Sequence, residues 1–129
     1  MVIDSSAVVA IFLNEPDARL LERRIADDPV RLISAGTLVE TGILIESKMG
    51  AIGGRELDLW LQRAKVEIVP VDEEQVEFAR RGWRRFGKGR HPAGLNYGDC
   101  FSYALAVTRD EPLLFKGNDF LKTDVKVCT

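Results

Sequence analysis

Short apolar runs alternate with longer amphipathic stretches along the whole chain, and this alternation restricts the fold more than any other feature. Val2-Ile3, Leu32-Ile33, Val66-Glu67-Ile68-Val69 and Leu113-Leu114-Phe115 have the length of strands and are too short for helices. Between them the apolar residues fall at helical spacing. Ala7 to Phe12 follows Asp4, with Ser5 or Ser6 as the expected N-cap. Pro16-Asp17 opens a second helix with Leu20, Leu21 and Ile25 on one face, ended by Pro29. A third runs from about Gly36 to Lys48 and is expected to break at Gly50, Gly53 and Gly54, after which Leu57, Trp60, Leu61 and Ala64 continue at i, i+3, i+4, i+7. Asp72 caps a helix whose stripe is Val76, Ala79, Trp83 and Phe86, and Asn96 starts one that continues through Val107. A last short strand is expected at Val125-Lys126-Val127. Strands alternating with helices predict an α/β fold, a three-layer α/β/α arrangement around a mainly parallel sheet. The 129 residues are expected to form one domain, 1–129. In such sheets ligands bind outside the carboxyl ends of the strands.

Composition then limits the chemistry. One histidine, His91, and two cysteines, Cys100 and Cys128, cannot supply the ligand sets of zinc sites at these spacings. The cysteines, far apart and with no secretory context, read as reduced thiols in a cytoplasmic protein. Asp4 interrupts the first apolar run, no basic stretch precedes it, and no run approaches the ~18–20 residues of a membrane span. Metal chemistry in this chain would rest on carboxylates and hard cations.

Most of the 20 acidic residues sit on expected solvated helix faces, but four do not. Asp4 directly follows the first strand. Glu40 lies between Leu38-Val39 and Ile43-Leu44-Ile45, an apolar setting for a glutamate. Asp99 falls in the first turn of the helix begun by Asn96, and Asp119 follows the fourth strand. Each has an ordinary structural reading: Asp4 assisting a helix cap, Glu40 reaching to the surface, Asp99 completing a capping box, Asp119 in a turn beside Asn118. In a parallel sheet all four can converge on one edge, where carboxylates raise one another's pKa unless a cation neutralises them. Mg²⁺ or Mn²⁺ suits such oxygen ligands.

The stretches Val2-Ile3-Asp4-Ser5-Ser6-Ala7, Thr37-Leu38-Val39-Glu40-Thr41, Leu95-Asn96-Tyr97-Gly98-Asp99-Cys100 and Leu113-Leu114-Phe115-Lys116-Gly117-Asn118-Asp119-Phe120, in that order and over nearly the whole chain, resemble the PIN-domain nucleases, specifically the VapC-type toxins of bacterial toxin–antitoxin modules. The resemblance implies a compact α/β/α domain whose acids bind Mg²⁺ or Mn²⁺ and hydrolyse RNA. It implies Asp4, Glu40 and Asp99 as the catalytic and metal-binding acids, Asp119 as the fourth, and Ser6 as a supporting hydroxyl. It also implies a cognate antitoxin as partner and a homodimer through apolar faces of the early helices. Many relatives carry an acid where this chain has Gly117, so the fourth carboxylate rests on Asp119, or on Asp124 if the loop folds back. The alternatives within the family are a catalytically silent binding module and a DNA-directed nuclease.

Arg80, Arg81, Arg84, Arg85, Lys88 and Arg90 lie close together, and Arg84, Arg85, Lys88 and Arg90 are the expected contacts for RNA phosphates. Glu77 and Arg81 are spaced for an i, i+4 pair. Gly82 to Gly89 approximates a phosphate-binding loop, but Gly89 stands where a Ser or Thr should and the segment continues a helix. Trp83, Trp60 and Cys100 read as packed residues, and His91 as a loop residue. A phosphate-accepting receiver domain, the other α/β class with acids at strand ends, would need an acid adjacent to Asp4, which is absent.

Overall fold

The computed structural model describes all residues, Met1 to Thr129. Four strands, β1 (Val2–Ile3), β2 (Leu32–Ser34), β3 (Glu67–Val69) and β4 (Leu113–Leu114), form one sheet in the order β3-β2-β1-β4. Every pairing is parallel, with Val2 in register with both Leu32 and Leu113. Five helices connect them: α1 (Ser5–Phe12), α2 (Ala18–Asp27), α3 (Ala35–Arg63), α4 (Glu73–Phe86) and α5 (Tyr97–Arg109).

The two-residue period of a strand explains the layers. Val2, Leu32 and Leu113 point to one face and pack with Ala79 and Phe86 of α4 and Tyr103 and Leu105 of α5. Their neighbours Ile3, Ile33 and Leu114 point to the other face, against Ala7, Val8, Leu21, Ile25, Ile45, Leu57 and Leu61 of α1, α2 and α3. Strands buried on both sides need no polar alternation, which is why they read as continuous apolar runs. The expected three-layer fold is the observed one.

The details differ in five places, the first in α2, where Leu21 and Ile25 are buried but Leu20, expected on the same face, is 50% exposed. Asp4 itself is the N-cap of α1, its side chain accepting from the Ser6 N–H, so neither serine holds that position. Of the three glycines expected to break α3, only Gly50 leaves helical geometry, with φ 70° and ψ −166°. Gly53 stays helical because the chain folds back there: a Cβ on it would sit 2.6 Å from Met49 Cβ and 3.0 Å from Ile45 Cγ2. The α4 stripe is split, since Ala79 and Phe86 are buried while Val76 and Trp83 remain over 40% exposed, at 45% and 43%. Gly82 and Gln75 take the inward positions, Gly82 letting Tyr103 lie against the helix backbone. Finally, the expected last strand reduces to one parallel bridge, Leu113 to Val127. No helix is long and apolar enough to cross a membrane.

The strand order reverses direction at β1, which has β2 on one side and β4 on the other. Crossovers leave a crevice beyond the carboxyl ends of strands at such a point. The residues that follow β1 and β4, Asp4 and the segment from Phe115, therefore border one hollow.

Candidate active site

A cavity of about 380 Å³ opens at that edge, lined by Asp4, Ser5, Ser6, Val9, Glu15, Glu40, Leu44, Asn96, Asp99, Lys116, Asp119 and Phe120. All four expected acids are in it, each delivered by a different chain segment. Asp124 is elsewhere, its Oδ2 accepting from Arg85 Nη1 at 3.0 Å. The fourth carboxylate of the cavity is thus that of Asp119.

Asp4 is almost fully buried, 3% exposed, and its carboxylate is held by three donors. Oδ2 accepts from the Ser6 N–H at 3.1 Å and from Ser6 Oγ at 2.7 Å, and Oδ1 accepts from Ser102 Oγ. Ser102 in turn lies 3.1 Å from Thr37 Oγ1. Ser6 Oγ also accepts from the Lys116 backbone N–H at 3.0 Å, so it ties the end of β1 to the segment after β4. These three hydrogen bonds fix the orientation of the carboxylate.

Glu40, on the first turns of α3, accepts from Ser5 Oγ at 2.9 Å. It lies against the N-terminus of α5 because Gly98 has no side chain: a Cβ there would be 2.6 Å from the Glu40 carboxyl carbon. Asp99 does two things at once. Its Oδ2 accepts from the Asn96 N–H at 3.0 Å while Asn96 Oδ1 accepts from the Asp99 N–H at 2.9 Å, a complete capping box. The same carboxyl borders the cavity, where burial pushes its pKa up to about 6, opposed by the Asn96 N–H and reinforced by the charges of Asp4, Asp119 and Glu40. Asp119 is exposed, and the buried Phe120 beside it, packed on Phe115, anchors its position.

The donor set fits a hard divalent cation. Four carboxylates facing one cavity, one of them with a raised pKa, are an arrangement that positive charge relaxes. No three of them are drawn tightly enough around one point to cage an ion by themselves. Mg²⁺ and Mn²⁺ do not need such a cage, since they are commonly held by one or two carboxylates with waters and substrate oxygens completing the shell. Asp4, with three donors, and Asp99, in its capping box, are the most firmly oriented of the four.

The other expected residues are dispersed. Arg85 is committed to Asp124, Arg90 donates to the Arg84 carbonyl and stacks over Trp83 at 4.9 Å, and Lys88 projects from the loop after α4. Arg80 and Arg84 flank a larger, mainly apolar hollow of about 700 Å³ walled by Val76, Trp83, Tyr97 and Phe101. His91 is a loop brace, its Nδ1 accepting from the Ala93 N–H and its ring set edge-on to Phe86. Cys100 is buried, and burial pushes its thiol up to about 11, as an inert packed cysteine requires. Thr37, Gly98, Ser102 and Lys116 belong to the site with no role expected from the sequence, and Ser5 and Asn96, expected only at helix starts, border the cavity as well. Ser102 had one available signal, a hydroxyl three residues after Asp99 in an otherwise apolar helical run, which places both on one face.

The family model of the PIN domain matches residues 1–126. A relative named Ribonuclease VapC from Mycolicibacterium smegmatis is 63% identical over 125 residues, covering 97% of each chain. Among solved structures, Mycobacterium tuberculosis VapC20, described as a Sarcin-Ricin loop cleaving toxin, superposes with a TM-score of 0.78 at 17% identity, covering 96% of this chain and 95% of that one. A toxin-antitoxin complex from Klebsiella pneumoniae gives 0.73 at 15% identity, covering 95% and 92%. With the family model spanning nearly all of it and a relative of such high identity, the chain belongs to the PIN-domain family and, within it, to the VapC ribonucleases.

Proposed function

We propose that Asp4, Glu40, Asp99 and Asp119 form the catalytic centre of an endoribonuclease toxin that works with Mg²⁺ or Mn²⁺. The observation that carries this reading is the convergence of four acids from four segments on one cavity, with Asp99 raised to about 6. When bound, the cation offsets the charge of the phosphodiester and acidifies water. Asp4 and Asp99 would hold it. Ser6 and Ser102 keep Asp4 from turning away, and the capping box does the same for Asp99. Glu40, fixed by Ser5, or Asp119 orients the attacking water and takes its proton. Attack in line with the leaving 3′-oxygen gives a 5′-phosphate end, and the proton goes to that oxygen.

Arg84, Lys88 and Arg90 are proposed to meet RNA phosphates beyond the cleavage point, Arg85 only by giving up Asp124. An antitoxin is the proposed partner, as in the toxin-antitoxin complex whose fold this chain shares. A homodimer is proposed through the apolar face of Val39, Ile43, Tyr97 and Phe101, which adjoins the acid cavity at Glu40 and Leu44. Light scattering of the purified protein tests it: the expected mass is that of two chains, and a single-chain mass at micromolar concentration refutes it. RNA and free thiols at Cys100 and Cys128 together favour the cytoplasm as the place of action.

The deciding experiment incubates purified protein with single-stranded RNA in Mn²⁺, in Mg²⁺ and in EDTA. Wild-type protein is expected to cleave only with the metals. Asp4→Asn and Asp99→Asn are expected to lose cleavage by at least about a hundred-fold while keeping a native circular dichroism spectrum. Full activity in Asp99→Asn, or intact RNA with the wild type, overturns the assignment.

A further inference from the structure

Among the twelve residues around the acid cavity one is a cation, Lys116, and nothing above has given its side chain a role. Its ammonium lies 2.8 Å from Glu15 Oε1 and 3.5 Å from Asp17 Oδ1, two acids of the turn between α1 and α2. These contacts hold it at the rim, away from Asp4, Asp99 and Glu40. Its backbone N–H donates to Ser6 Oγ, and Ser6 Oγ donates to Asp4 Oδ2. One hydroxyl therefore fixes the spacing between the segment that carries this ammonium and the buried acid at the floor of the cavity.

We propose that Lys116 binds a phosphate of the RNA strand at the cavity rim, and that Glu15 and Asp17 park its ammonium until the strand arrives. The proposal rests on the reading of the cavity as the ribonuclease centre. A polyanion approaching four carboxylates is repelled by them, and a single divalent ion offsets only part of that charge. An ammonium at the mouth supplies the remaining attraction at the place where the strand must enter. The contact to Glu15 is easily exchanged, since both partners are 36% exposed and ion pairs so exposed contribute little net free energy, whereas Asp17 Oδ1 is buried without another hydrogen-bond donor and is the firmer hold. Of the three N–H donors on an ammonium, the contacts to Glu15 and Asp17 use two, leaving one to meet a phosphate oxygen first. Parking also keeps Lys116 from collapsing onto the acids and occupying the place of the cation.

Cleavage of a labelled single-stranded oligoribonucleotide in Mn²⁺ tests the proposal, with KM measured over a series of salt concentrations and Mn²⁺ affinity followed separately by calorimetry. Lys116→Met preserves the backbone bond to Ser6 and removes the charge. It is expected to raise KM about five- to ten-fold, the effect of one charge-assisted hydrogen bond at a partly exposed site. It is also expected to reduce the salt slope of log affinity by about 0.7, the share of one phosphate contact in a single strand. Mn²⁺ affinity should stay as in the wild type, and Lys116→Arg should restore most of the loss. Glu15→Gln, which weakens the shorter of the two contacts holding the ammonium, is expected to lower KM. An unchanged KM and salt slope in Lys116→Met overturns the proposal, as does a fall in Mn²⁺ affinity matching the loss of cleavage, because Lys116 would then act through Asp4. A rise in KM in Glu15→Gln overturns it too, by showing the pair to be a brace. Failure of the wild type to cleave in the same assay would instead overturn the reading of the centre itself.

Discussion

Gly98 is the residue where one added methyl group would act on the site while sparing the fold. A Cβ there meets the carboxyl carbon of Glu40 at 2.6 Å, far inside contact distance. The yielding partner would be the end of a flexible side chain, so Glu40 is expected to swing away from Ser5 while α5 stays in place. Gly98→Ala should lower the cleavage rate at saturating RNA by roughly ten- to a hundred-fold, as misplacement of a reacting group by about 1 Å does. Its melting temperature should remain close to that of the wild type. A wild-type rate in this variant would show that the position of Glu40 does not matter. The same residue shows why sequence reading stopped short. Asp4 and Asp119 stand out by following strands, Glu40 by its apolar run and Asp99 by opening a helix, but only the resemblance joins the four into one set. Gly98, Thr37 and Ser102 act by size or through a hydroxyl, and nothing in their identity announces that they serve an acid far away in the chain.

Among the elements, α3 shows how a helical pattern and a glycine cluster divide the work. Gly50 alone takes positive φ, and the two halves of the helix fold back on each other across it. An L-residue at φ 70° is strained, whereas glycine is not. Gly50→Ala is expected to cost about 1–3 kcal/mol in urea unfolding, because φ 70° with ψ −166° is a region open essentially to glycine alone, with cleavage per folded molecule unchanged, since Gly50 is remote from the cavity. A stability equal to the wild type would refute this account of the turn. Gly53 was misread as a breaker because closeness of approach and helix termination call for the same residue type, and only packing tells them apart. The α4 stripe erred similarly: Val76 and Trp83 have helical spacing with Ala79 and Phe86, but Gly82 and Gln75 occupy the inward edge. The helix start at Asn96 is as expected, and the Asp99 carboxyl both completes the cap and borders the acid cavity.

At the scale of the molecule, a formal net charge of −2 averages over an uneven arrangement. Acids gather at the carboxyl edge of β1 and β4, while the arginines of α4 and its following loop lie apart from them. The acid edge gives the metal-free protein a characteristic pH response. Burial, then the charges of Asp4, Asp119 and Glu40, hold the Asp99 carboxyl near 6, above its value in an unfolded chain. A raised acid favours the folded state fully while it is protonated in both states. That contribution is lost as pH rises from the ordinary aspartate range through about 6, where the native carboxyl ionises among its neighbours. A divalent cation held there would remove the penalty and compete with the proton for the same oxygens. The rise in melting temperature on adding Mn²⁺ is therefore expected to be larger at pH 7.5 than at pH 5, and to vanish at both with EDTA. In Asp99→Asn the metal-free protein should lose the downward trend between pH 5 and 7, because no proton leaves that site. Thermal melts of both proteins at the two pH values, with Mn²⁺ and with EDTA, give the comparison. An Mn²⁺ shift as large at pH 5 as at pH 7.5, or an undiminished pH trend in Asp99→Asn, would place the cation away from Asp99.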